Sequence, residues 1–271
     1  AEDNINLRCW DQKRRFGIDF LYPIDRYTQA FTQATIVNRA GDLVPNPLFV
    51  GQTRKPEQVL VTGIVGVPWQ DIARDKNDIS KGFKNAAELV TPIAGINAST
   101  WDVIVGDPAN IVAPLDPLMK DTYIKRTGTN PITGDPLVDS STPNGNPVNG
   151  HEWTIAHDDL QFACIFPLLP GTARDCTDPN LTACDCTVNT NDNPLCQPDP
   201  NNANNPTLQV RAKAYPGIRP LVLLESLGDQ AIVGSICPAQ VDDSSKSSFG
   251  YRPVVTSVLD WLTRRGCPPS P

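Results

Sequence analysis

The chain is short of several things, and each shortage narrows what it does. It holds one methionine and two histidines among 271 residues, and aromatic residues make up 7%. With so few imidazoles, any histidine-based chemistry rests on His151 and His157. No apolar run reaches the roughly 18 residues that cross a bilayer as a helix, which argues against an integral membrane protein. No secretory leader is visible, and the chain begins at Ala1, so the sequence reads as a processed chain or as part of a longer one. There is no glycine-rich phosphate loop, no dinucleotide fingerprint and no Gly-x-Ser-x-Gly elbow. A nucleotide cofactor is therefore not implied. Ser235, in Gly234-Ser235-Ile236, follows an apolar run as an elbow serine does but lacks the second glycine. Basic residues are scarce too. The formal charge is −7, and the short patches Lys13-Arg14-Arg15 and Arg264-Arg265 lack the interleaved aromatics of a strand-binding groove. Nucleic acid is excluded as a partner on these grounds.

Proline, glycine and cysteine are plentiful. The 27 prolines and 18 glycines describe a folded, loop-rich chain. Eight cysteines, Cys9, Cys164, Cys176, Cys184, Cys186, Cys196, Cys237 and Cys267, form an even set that fits disulfides in an oxidising compartment: extracellular, periplasmic or at a cell surface. Connectivity is open, since eight cysteines allow on the order of a hundred pairings; a Cys9–Cys267 bridge would tie the termini. Zinc on Cys176, Cys184, Cys186 and Cys196 is the alternative, which such a compartment disfavours.

Composition divides the chain into three parts. Residues 1–106 form the first part of an α/β core. A Pro-x-Asp start and the Tyr27/Phe31 spacing predict a helix after Pro23, and Gln58–Val67 is nearly continuous apolar and β-branched sequence, as in a strand buried on both faces. The Trp69 loop after it lies where α/β proteins place binding loops. Residues 101–108 are a strand or a helix end. Residues 107–209 form a loop-rich insertion punctuated by Asp116-Pro117, Asn130-Pro131, Asp135-Pro136, Asn144-Gly145, Asn146-Pro147 and Asn149-Gly150. Each is a turn signal, because Pro fixes φ and Asn or Gly tolerates left-handed backbone. Five cysteines between 164 and 196 would staple it. Residues 210–271 complete the core with a helix ending at Gly228, a buried strand over Ala231–Cys237, and a last helix starting at Pro253 with basic residues at its end.

The segments YPIDRYTQAF, QVLVTGIVG, YPGIRPLVLLESLG, AIVGSICP and YRPVVTSVLDWL, taken in that order, resemble the C-terminal half of secreted bacterial proteins with a von Willebrand factor A-like domain. The resemblance implies a partial Rossmann-like sheet interrupted by the insertion, an adhesive or structural role at the cell surface, and a partner such as an N-terminal half or neighbouring subunits. The family's Asp-x-Ser-x-Ser metal-adhesion motif is absent. Asp139-Ser140-Ser141 has the wrong spacing and no apolar strand before it.

Two site readings remain. His151 and His157, with Glu152, Asp158 and Asp159, are the densest group of metal or acid–base residues; a secreted metal-dependent or acid–base hydrolase centred on His151–Asp159 is the alternative to a non-catalytic interaction protein. Their six-residue spacing puts them on one side of a strand but not of a helix. Asp175, Asp178, Asp185 and Asp192 supply the hard oxygens that suit a structural Ca2+. Trp10, Trp69, Trp101, Trp153 and Trp261 are the aromatics available for carbohydrate, although single tryptophans usually pack. Asn97 and Asn180 stand in glycosylation sequons.

Overall fold

A computed structural model describes residues 4–5, 7–51, 54–142, 145–155, 159–181, 183–187, 192–197 and 207–265. His157, Asp158 and Cys267 fall outside this set. Helices α1 (Arg8–Phe16) and α2 (Ile24–Thr32) precede the strands β1 (Thr35–Val37) and β2 (Leu43–Pro45). Strand β3 (Val61–Val65) leads to three short helices, α3 (Trp69–Ile72), α4 (Ala86–Val90) and α5 (Thr100–Ile104). The cysteine-rich tract supplies β4 (Cys164–Pro167), β5 (Arg174–Asp175), β6 (Cys196–Gln197), β7 (Leu208–Gln209) and β8 (Arg211–Ala214). Helix α6 (Ile218–Leu227), strand β9 (Ala231–Ser235) and helix α7 (Arg252–Arg264) follow.

The fold is mixed α/β, with four small sheets among the described residues: β1–β2, β3–β9, β4–β8 and β5–β7–β6. No single large Rossmann-like sheet joins them. Only β3 and β9 run parallel, with Gly63 opposite Val233. Both partners use glycine to let a helix approach. A Cβ on Gly63 would lie 2.4 Å from Leu224 of α6, and one on Gly234 would lie 2.5 Å from Val254 of α7, so the two helices cover opposite faces of the pair. Strand β9 is buried along its whole length. Strand β3 is not, contrary to its apolar sequence: Thr62 and Ile64 are exposed, because α7 lies over β9 and leaves that face of β3 uncovered.

The ambiguous stretch after Ser99 is helical. Ser99 and Asp102 form a reciprocal cap, Asp102 accepting from Ser99 N–H at 2.7 Å while Ser99 Oγ accepts from Asp102 N–H at 3.2 Å. This cap directs Trp101, Val103 and Ile104 into a core shared with Val67, Ile72, Met119, Leu221 and Val233. The Trp69 segment is likewise the short helix α3 packed on that core, not an open loop. Helix α6 ends at Gly228, whose φ is +54°, and α7 carries Pro253 in its first turn and Arg264 in its last.

One turn recurs throughout the loops. Asn46-Pro47-Leu48, Asp116-Pro117-Leu118, Asn130-Pro131-Ile132, Asn146-Pro147-Val148 and Asn193-Pro194-Leu195 share the pattern Asx-Pro-aliphatic. In each, the Asx Oδ1 accepts the aliphatic residue's N–H at 2.8–3.0 Å. Proline presets φ and has no N–H of its own to satisfy, so the side chain closes the turn in place of a backbone carbonyl. All five Asx residues are at most 5% exposed. The asparagines use their second polar atom on a distant segment: Asn46 Nδ2 donates to the Ala30 and Gln33 carbonyls, Asn146 Nδ2 to the Pro136 carbonyl and Asn130 Nδ2 to Asp71 Oδ1.

Among the described residues three disulfides are present, Cys164–Cys237, Cys176–Cys184 and Cys186–Cys196. The first fastens β4 to the segment after β9 across 73 residues, and the other two close short loops within the tract. Cys9 is exposed and takes part in none of them.

Asn146→Ala is expected to destabilise the protein by about 3 kcal/mol, because it leaves the buried Val148 and Asn149 N–H groups without their Asn146 Oδ1 acceptor. Asp178→Ala, at an exposed turn where Asp178 accepts from Asn180 N–H at 2.9 Å, is expected to cost under about 1 kcal/mol. Urea unfolding of the two variants checks the contrast.

Candidate functional site

Strand β8 pairs antiparallel with β4, setting Lys213 opposite Ile165 and Ala214 opposite Cys164. After Ala214 the chain turns sharply, and the Tyr215 carbonyl fills the space that a Cβ on Gly66 would need, at 1.7 Å from it. That close approach to the end of β3 fixes Tyr215 beside Lys213. Lys213 Nζ donates to Asp159 Oδ2 at 3.0 Å and to Asp185 Oδ1 at 2.7 Å. It also lies 5.3 Å from the Phe162 ring centre and 5.2 Å from that of Tyr215. Phe162 in turn stacks on Trp153 at 5.4 Å. Asp185 is positioned by Gln209, whose Oε1 accepts from Asp185 N–H at 2.9 Å, and by the flanking bridges at Cys184 and Cys186.

These groups line a cleft of ≈ 480 Å³ bounded by Trp153, Leu160, Tyr215, Asp159, Asp185 and Lys213, with Leu7 at its rim. Burial pulls the Lys213 ammonium down, but its hydrogen bonds to Asp185 and Tyr215 outweigh this and hold it above the ordinary lysine range. Tyr215 is raised by burial and by its hydrogen bond with Asp159. Near neutral pH the cleft thus presents a fixed cation and a neutral phenol against aromatic walls, with the Asp159 and Asp185 side chains both hydrogen-bonded to that cation.

A second polar group lies deeper. Glu152 is 1% exposed and receives Arg126 Nε at 3.0 Å and Nη2 at 2.9 Å, the Arg126 N–H at 2.8 Å and Asn149 Nδ2 at 2.9 Å. Arg126 also donates to the Leu118 and Phe162 carbonyls, each at 2.6 Å. A buried ion pair is tolerable when its remaining donors and acceptors are matched, as they are here. Beside it lie the carboxyls of Asp71 and Asp116, both without exposed surface and each perturbing the other's ionisation. Burial and mutual repulsion disfavour ionising both. Burial, then the Asp116 charge, pushes Asp71 well up; burial raises Asp116 as well. Lys84 Nζ reaches the Asp71 carbonyl and Thr100 Oγ1, each at 2.9 Å.

The residues singled out from sequence distribute unevenly around these centres. His151 is buried and its Nε2 bonds the Asp192 carbonyl. Asp192 accepts from Thr154 N–H at 2.9 Å, which with its other hydrogen bonds outweighs burial and lowers it. Glu152 is committed to Arg126, and Asp159 and Asp185 to Lys213. Asp175 and Asp178 close exposed turns on Thr177 and Asn180, and the Thr177 N–H lowers Asp175. Among the described residues, no three His, Cys, Asp or Glu side chains gather as metal ligands do. Trp101 and Trp69 belong to the main core, Trp261 is buried with its Nε1 donating to the Asp229 carbonyl, and Trp153 alone of the five tryptophans lines this cleft. Sequence reasoning missed Lys213, Tyr215, Arg126, Asp71 and Asp116. Asp116 had been legible only as a turn residue, and the others carry no local motif.

Comparisons with protein-family models, curated proteins and solved structures find no match to this chain.

The raised Asp71 carboxyl has a signed consequence. The stability it contributes is complete below the ordinary Asp value of 3.8 and is lost as pH rises through the raised value of Asp71. Asp71→Asn cannot ionise. The difference in urea midpoint between variant and wild type is therefore expected to move in the variant's favour from about pH 4 to pH 8. Parallel pH profiles would contradict the raised Asp71 carboxyl.

Proposed function

We propose that the chain is a non-catalytic recognition protein of the extracellular or cell-surface space, binding a polar ligand with an apolar face, of the saccharide class, in the Trp153–Tyr215 cleft. The observation that carries this reading is the Lys213 triad. A hydrolytic pair needs one carboxyl free to donate a proton and one free to accept it or attack. Here an ammonium sits between Asp159 and Asp185 and occupies both. Fixed charges beside aromatic faces suit recognition: the rings take the apolar side of a sugar and the triad's spare lone pairs take its hydroxyls. Three disulfides support an oxidising compartment. The von Willebrand factor A-like resemblance belongs to the same reading. Parallel β3 and β9 with α6 and α7 on opposite faces agree with part of such a domain, and adhesion is the role it suggests.

The second reading, a hydrolase near His151–Asp159, draws on the cleft reaching Asp159. A panel of hexose, N-acetylhexosamine and uronic-acid oligosaccharides, titrated against intrinsic tryptophan fluorescence and assayed for released product, separates the two. Saturable binding that weakens at least about tenfold in Tyr215→Ala, with no product, is expected, tenfold being ~1.4 kcal/mol. Product release that disappears in Asp159→Asn would establish the hydrolase instead.

A further inference from the structure

We infer that β3 and α7 together form a two-fold interface through which the chain pairs with a second copy of itself. In the β3–β9 ladder, Ile236 N–H donates to the Val65 carbonyl at 2.9 Å. Backbone groups alternate in direction along a strand, so Val61, Gly63 and Val65 face β9, whereas Thr62 and Ile64 turn their N–H and C=O groups to the opposite edge. No described residue bonds those four groups, and both residues are exposed. The edge is short, but Val61-Thr62-Gly63-Ile64-Val65 carries neither the charge nor the proline that normally block pairing. A two-stranded parallel sheet is itself unusually small, since parallel strands ordinarily occur in larger sheets with both faces covered.

Helix α7 has a matching vacancy on the same face. Val254, Val258 and Trp261 pack inward or are partly covered, while Tyr251, Val255, Leu259 and Leu262 make a second apolar stripe, 41%, 56%, 56% and 36% exposed. Their spacing of four, four and three keeps them on one side of the helix. Asp260 lies on the opposite side, 4.0 Å from Arg74, so the stripe faces away from the α3–α4 region. Exposed Ile64 belongs to the face of the sheet that α7 covers over β9, because it lies opposite Gly234, which packs on Val254.

The occupant is a second copy because one two-fold axis through Gly63 satisfies both features. It sets Thr62 opposite Ile64 of the other copy in an antiparallel pair, and each such pair exchanges two N–H···O=C bonds. All four outward groups on each chain are then used. The same axis keeps α7 of both copies on one face. With β9 and its copy three strand spacings apart, about 14 Å, and packed helices about 8–10 Å apart, long side chains such as Tyr251, Leu259 and Leu262 close the gap above the Thr62–Ile64 pairs. Strand pairing is confined to these residues, since Gly217 N–H already bonds the Gly66 carbonyl at 2.8 Å on the outer edge. Six main side chains per copy, against roughly 20–30 residues in a standard interface, set the expected strength to a concentration-dependent dimer.

Sedimentation velocity of the disulfide-intact protein from about 5 to 200 μM, a range spanning weak dimers, reads the mass against the 29.5 kDa chain. A shift toward twice that mass is expected. Leu259→Glu and Ile64→Lys, both at exposed positions, should each weaken dimerisation at least about tenfold, ~1.4 kcal/mol, with unchanged far-UV circular dichroism. In the wild type, the Thr62 and Ile64 amides should gain hydrogen-exchange protection as concentration rises. A wild-type chain monomeric at the highest concentration, or a dimer indifferent to both substitutions, overturns self-pairing. Neither outcome bears on the Trp153–Tyr215 cleft.

Discussion

The structure depends on a way of burying loop backbone. Regular ladders satisfy few of the amides between residues 107 and 209, and a buried unpaired amide is costly. The Asx-Pro-aliphatic turn answers this locally. Its proline removes one donor, its Asx side chain accepts the next, and its aliphatic residue enters the interior, as Leu118, Val148 and Leu195 do. The asparagine's remaining donor then joins the turn to another segment. Polar satisfaction and apolar burial are thereby delivered by the same three residues, and the cysteines reinforce a framework that the turns already define.

The charges follow the same logic at larger scale. Arg126 spans Leu118, Glu152 and Phe162, so one guanidinium holds three strands of loop that have no ladder in common. Lys213 does the equivalent nearer the surface, drawing Asp159 and the disulfide-flanked Asp185 onto β8. The cleft exists because that triad is rigid on one side and because Gly66 lets the Tyr215 backbone lie against β3 on the other. The residues that line the cleft are therefore the ones that hold the loops together.

The helices α2, α6 and α7 and strand β9 were legible in the sequence, since periodicity, the proline near the start of α7 and the glycine after α6 are local signals. The turns at Asp116, Asn130 and Asn146 were legible as turns. Their burial was not: Asx-Pro reads as solvent-facing punctuation, and only tertiary packing decides whether the side chain faces water or Asp71. Strand β3 misled in the opposite direction, because a continuous apolar run does not say whether both faces are covered. The cleft had even less signal, since Trp153, Asp185, Lys213 and Tyr215 are brought together by the β4–β8 register and two disulfides, neither of which spacing reveals. The described residues form a mixed α/β fold of four small sheets, and no single large Rossmann-like sheet is among them.

The central claim is that the loop tract is a cooperative part of the core, held by side chains acting as backbone partners. Native-state hydrogen exchange of the Leu118, Ile132, Val148 and Leu195 amides, which donate to Asx side chains, tests it most directly. The account predicts protection comparable to that of the β9 amides, lost only with global unfolding. Exchange of these four amides at the rate of exposed turns, while β9 stays protected, would contradict it.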